Sequence, residues 1–286
     1  MLLLLTLYFL LSTSTQTDIS AAKSVPQQQE DANRKQPLLA EVLHTQIAEE
    51  VAAKQEGVHG SGVAPSPRVA ALYPVVDRED IQLKHRQIAD RVMRLMPQRC
   101  TSLLEHFYVR YNHPESRGLG GKSTIILSGN VPDDEFRALF IHEFGHLLDL
   151  GCFQGTPGSG TTTFKDNTEQ IWKDDPSVQF YRISWDAANV QRKGTQKTDF
   201  VSGYASWDPF EDFAESFAYY LLHREVFAER AQENNALAAK YLWFQTYLPT
   251  VPRVAKSLST WDGNVPWDST KLAYTWNPPR EIVARR

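Results

Sequence analysis

The stretch from Asn130 to Leu150 does more than any other to limit what this chain can become. It reads as one helix: Pro132, Asp133, Asp134 and Glu135 open it, and Gly151 closes it. Phe136, Leu139, Phe140, Phe144 and Leu147 give it apolar surface to bury. Within it stand His142, Glu143, Phe144, Gly145 and His146. Residues four apart lie on one helix face, so the two imidazoles project side by side. Burying two histidines and a carboxylate is costly unless something compensates them. A fold built on this helix must therefore bring a partner to that face.

The His-Glu-x-x-His spacing is one with which a single helix offers two ligands to a zinc ion. The glutamate then stands beside the first ligand, within reach of a water proton. With 8 histidines in 286 residues, the motif arises by chance in about 1% of such chains. A catalytic zinc needs a third protein ligand and an open position. The metzincin extension would require Gly at 149 and His at 152, but those positions hold Asp149 and Cys152. A later segment offers carboxylates instead. Glu211 and Glu215 stand one turn apart in a helix expected over Pro209 to Leu222, with Asp208 as its cap and Phe213 and Phe217 packing its other side. One of these glutamates can ligate while the other supports a histidine. Asp149, one turn after His146, could orient a ligand histidine or simply end its helix.

Taken together, His142-Glu143-Phe144-Gly145-His146 and Glu211-Asp212-Phe213-Ala214-Glu215-Ser216-Phe217 resemble the gluzincin metallopeptidases, particularly the anthrax lethal factor catalytic domain and its relatives. The resemblance covers the two motif helices well and residues 100–222 loosely. It implies an α+β, zincin-like fold, with a small sheet packed on the motif helix and a mostly helical C-terminal half. It implies zinc held by His142, His146 and Glu211, Glu143 as general base, and Glu215 behind the ligands. Tyr204, seven residues before Glu211, would stabilise the oxyanion. The chain departs from the family at Asp212, where an apolar residue is usual, and in a longer insert between the helices. The tail carrying Trp261, Trp267 and Trp276 lies outside the resemblance.

The remaining sequence sets the context. Leu2 to Leu11 is apolar except for Thr6, too short to span a bilayer, and matches the core of a signal peptide over residues 1–17. Residues 18–75 form a polar linker or pro-region containing the amphipathic stretch Leu38 to Glu56, and 76–286 form the metallopeptidase domain. The protein is thus expected to be secreted or extracytoplasmic. Cys100 and Cys152 would then be joined as a disulfide, the alternatives being two free thiols or Cys152 near the metal. Lys and Arg total 30 against 34 Asp and Glu, a net −4 that argues against nucleic-acid binding through bulk positive charge. No transmembrane helix is expected in the mature chain.

Ser116 to Ser123 has the look of a phosphate loop. Its first glycine is replaced by Ser116, however, and strand-like Thr124 to Leu127 follows where a helix is needed. No nucleotide is expected. The segment reads as a hairpin turn between strands at Phe107–Tyr111 and Ser123–Leu127, the second strand forming an edge along which a peptide could lie. Further helices are expected at Arg78–Met96 and Ala231–Tyr247, with loops from Gly151 to Phe200. The late tryptophans would pack the tail over the domain or form a sugar-stacking face. The whole points to a monomeric zinc endopeptidase acting on proteins or peptides. A zinc hydrolase of another amide is the alternative, as is a zinc-stabilised binding module, against which an intact Glu143 weighs.

Overall fold

The computed structural model describes residues 71–112 and 117–279. The expected signal segment, the amphipathic stretch Leu38 to Glu56 and Ser116 of the glycine-rich loop lie outside the described residues. Helix α1 (Leu83–Met93) and the short α2 (Gln98–Thr101) lead into β1 (His106–Arg110), β2 (Gly118–Gly120) and β3 (Thr124–Ser128). Then comes α3 (Asp133–Leu147), extended by a π-helical turn over Leu148–Cys152. Two hairpins follow, β4 (Thr161–Asp166) with β5 (Glu169–Trp172) and β6 (Trp185–Ala187) with β7 (Val190–Gln191), and α4 (Ser177–Ser184) lies between them. The chain continues through α5 (Pro209–Leu222), α6 (Arg224–Glu233) and α7 (Asn235–Tyr247), and the tail adds β8 (Ala255–Ser257) paired with β9 (Tyr274–Trp276). Helices with small sheets make this an α+β architecture. No helix among the described residues is long and apolar enough to cross a membrane.

The three-stranded sheet has the order β1-β3-β2 and packs against α3. Here the structure corrects the sequence expectation. β1 and β3 run parallel, with Phe107 opposite Ile125, so no hairpin joins them. The glycine-rich segment is itself a strand, antiparallel to β3, with Leu119 opposite Ile126. β3 is therefore the central strand and β2 is the edge. Its glycines resemble loop chemistry locally, and only the pairing with β3 makes them a strand.

Three more boundaries shift. α3 does not stop at Gly151: its last turn widens into the π-helical segment and runs to Cys152, which is disulfide-bonded to Cys100. The expected Ala231–Tyr247 helix is divided at Asn234, whose side chain accepts from the Leu237 amide (2.9 Å) and caps α7. Much of the expected loop from Gly151 to Phe200 is hairpins and α4.

Helix α5 packs directly on α3, and the contact is close because Gly145 faces Ala214; a Cβ at Gly145 would come within 2.8 Å of the Ala214 Cα. On its far side α5 joins an aromatic core. Phe213 lies 5.1 Å from both Phe180 and Trp243, and Phe217 lies 6.0 Å from Phe244, all measured between ring centroids. Asp212, the departure from the family pattern, is fully buried there. It pairs with Lys240 of α7 at 2.7 Å and accepts the indole N–H of Trp185 at 3.0 Å. A buried charge so tightly paired fixes the rotation of α5 about its axis, which decides where Glu211 and Glu215 point.

Candidate metal centre

His142, Glu143 and His146 are buried on the face of α3 that meets α5 and the cleft. The carboxylates come from the first half of α5, whose start is set by Asp208: its Oδ1 accepts the amides of Phe210 (2.9 Å) and Glu211 (2.8 Å). With α5 started there, Glu211 reaches both motif histidines. Its Oε2 lies 3.2 Å from His142 Nε2 and 3.6 Å from His146 Nε2.

One ligand atom from each of these three residues fits within 4.8 Å of the others, the only such group of three or more found among the described residues. Glu211 Oε2 is buried yet accepts no hydrogen bond, although two ring nitrogens stand close to it. The oxygen and the two nitrogens lie close enough together to share one cation. Two imidazole nitrogens and one carboxylate oxygen make a donor set suited to zinc. Burial disfavours charge on Glu211, but the two imidazoles outweigh it and hold the carboxyl well below its usual range. Burial likewise pushes His142 down, while Glu211 and Glu215 more than reverse it, leaving the imidazole well above its ordinary value. His146 is raised too, with Glu211 overcoming the effect of burial.

Glu215, one turn beyond, is fully buried and meets the other side of His142, its Oε1 3.0 Å from Nδ1. Its Oε2 accepts the hydroxyl of Ser202 and, at 2.8 Å, the amide of Ser269. A carboxylate on Nδ1 fixes the ring and leaves Nε2 for the metal face. Asp149 is turned elsewhere: Tyr181 donates to its Oδ1 at 2.5 Å, and burial followed by nearby Asp175 raises its carboxyl. Tyr204, in a short 3-10 turn before α5, donates to Glu211 Oε1 at 3.0 Å and stacks its ring 6.0 Å from that of His142. Burial and then Glu211 push its phenol up, so it remains a proton donor.

Glu143 faces the edge strand. A methyl at Gly118 would overlap Glu143 Oε1, and one at Gly120 would come within 2.7 Å of the Glu143 carbonyl oxygen. The glycines that imitate a phosphate loop are there because strand and helix touch at this carboxylate. Burial raises the Glu143 carboxyl above its ordinary value, against the pull of the two histidines. A cavity of about 490 Å³ opens over Glu143 and His142, bounded by Arg117, Tyr204, Trp207 and Trp267.

Sequence reasoning missed Ser202, Ser269, Gly118 and Gly120 as parts of this site. The serines carry no local signal, since their role depends on a carboxylate 13 and 54 residues away. For the glycines the signal was a strand pattern beginning immediately after them.

The family model described as "Putative zinc-binding metallo-peptidase" matches residues 137–263, which takes in both motif helices but neither β2 nor the tail from Asn264 onward. No curated protein and no solved structure matches the chain. The family match and the His142, His146 and Glu211 cluster together support a zinc metallopeptidase.

Proposed function

We propose that this protein is an exported zinc endopeptidase of gluzincin type, with a zincin-like fold and with His142, His146 and Glu211 as the metal ligands. The observation that carries the reading is the convergence of these three donors around the unbonded Oε2 of Glu211. Zinc, when bound, supplies polarisation of the scissile carbonyl and acidifies water. Glu143 takes the proton of the attacking water and returns it to the leaving amine, a task suited to a carboxyl raised by burial. Glu215 keeps His142 oriented through Nδ1. Tyr204 orients Glu211 in the resting state and donates to the oxyanion as it develops. Protein or peptide chains are the substrate, cleaved by a monomer. The disulfide fits an oxidising, extracytoplasmic setting.

The test combines metal analysis with peptide hydrolysis. Purified protein should hold about one zinc per chain, following the three-ligand pattern. His146→Ala should lose the metal and activity together. Glu143→Gln should keep the metal and lose hydrolysis. Full hydrolysis by metal-free protein would remove the reading.

A further inference from the structure

Two indoles stand on the rim of the cleft. Trp207 and Trp267 are each 66% exposed, more than any other large apolar side chain among the described residues. Leaving so much aromatic surface in water forgoes the stabilisation that burying it would bring, so the fold gains little from placing them there. Both lie beside Tyr204. The Trp207 ring stands edge-on at 5.8 Å, and the Trp267 ring is tilted at 6.4 Å. Tyr204 thus touches both indoles, and all three rings line the same cavity as Glu143 and His142.

Trp267 is held firmly. The Tyr204 amide donates to its carbonyl and the Gly203 amide donates to that of Pro266, both at 2.7 Å. The indole lies directly over Gly203, where a Cβ would approach it to 2.6 Å. A preorganised wall of this kind loses little freedom when a ligand arrives. The polar groups beside it are already committed. Arg117 pairs with Glu135 (2.9 Å) and with Asp268, and donates to Thr270 at 2.9 Å. Asp268 also accepts the Thr270 amide at 2.8 Å. Among the described residues that line this cavity the one arginine or lysine is Arg117, and it is already paired, so an acidic group meets no free cation of that kind there.

The geometry points to a specificity site: Trp207 and Trp267, with the Tyr204 ring that both touch, select an uncharged aromatic side chain of the peptide substrate. This inference rests on the peptidase reading. It concerns residues that a metal site alone would not require, and Trp267 lies outside the family match.

The experiment uses zinc-loaded Glu143→Gln protein and eight-residue alanine-based peptides. A single Phe, Lys or Glu is walked through the positions, and binding is measured by calorimetry. Phe at one position, or two adjacent ones, should bind about tenfold tighter than Ala, the size expected of aromatic packing. Lys and Glu should show no such gain. Trp207→Ala should remove most of the Phe preference while leaving zinc content unchanged, with the all-alanine peptide losing far less affinity than the Phe peptide. Trp267→Phe should keep part of the preference, guarding against a wall that merely collapses. A full Phe preference that survives Trp207→Ala, or a preference for Lys, overturns the inference, as does equal binding of a cello- or chito-oligosaccharide. Wild-type protein on the same peptides separates the two readings. Cleavage without tryptophan dependence removes the specificity site alone. Tryptophan-dependent binding without cleavage removes the peptidase reading alone.

Discussion

Glu211 and Glu215 are chemically identical and one turn apart, yet they have opposite surroundings. Glu211 faces two Nε2 atoms with an oxygen to spare, whereas both oxygens of Glu215 are engaged by His142, Ser202 and Ser269. On the proposed assignment Glu211→Gln should therefore abolish most zinc binding, because the charged carboxylate becomes a neutral amide. Glu215→Gln should weaken it by roughly 10- to 100-fold, as changes behind a ligand do. A reversed order in metal titrations would shift the ligand assignment by one turn. The same residues set a pH signature. His142 and His146 are raised in the metal-free protein, so they stabilise its fold fully below about pH 6.5, the ordinary histidine value. That stabilisation is lost as pH rises through their raised values. Zinc needs the neutral imidazoles and displaces those protons. The difference in Tm between zinc-loaded and metal-free protein should consequently widen from pH 6 to pH 8. A difference that narrows over this range would contradict the ligand set.

Helices α3 and α5 are the elements on which the centre depends, and they meet where Gly145 lacks a side chain. Gly145→Ala ought to be favourable by helix propensity alone, by about 1 kcal/mol. The methyl would instead stand 2.8 Å from backbone and separate the helices, so a lower Tm and weaker zinc binding are expected. A stabilised variant with unchanged metal affinity would show that the contact has room to give. The two motifs were legible in the sequence because four-residue spacing on a helix is a local property. Strand β2 was not, because Gly118 to Gly120 becomes a strand only through β3. The end of α3 was misjudged because Gly151 signals a stop, while the chain beyond it is tied to Cys100. Asp212 stood in the sequence only as a charge where the resembled family has an apolar residue, and its partner Lys240 lies 28 residues later.

Across the whole molecule, links between distant segments hold the site's elements together. The disulfide closes 52 residues of chain, which on loop-entropy grounds stabilises the fold by up to about 4 kcal/mol. Replacing Cys100 and Cys152 together by alanine should lower the denaturation midpoint without removing zinc from folded protein; an unchanged midpoint would show the link to be dispensable. Two of the three late tryptophans pack the tail, as expected: Arg230 lies over Trp261 at 4.2 Å and Arg137 over Trp276 at 4.8 Å. Trp267 anchors the tail differently, by its carbonyl on the Tyr204 amide and its indole over Gly203, while its outer face stays exposed, and its neighbour Asp268 ties the tail to Arg117 beside β2.

The amide of Ser269 on Glu215 has a consequence in time. A ribosome makes the chain from one end, and Glu215 emerges 54 residues before the amide that anchors it. Until residue 269 follows, His142 is oriented by a carboxylate lacking one of its two anchors on Oε2. A chain released before Ser269 should capture zinc more weakly than the full chain and cleave more slowly. Equal zinc affinity in the two would deny the tail this role. A carboxylate made early is thus finished by an amide made late, so the orientation of His142 depends on chain 54 residues downstream of the residue that orients it.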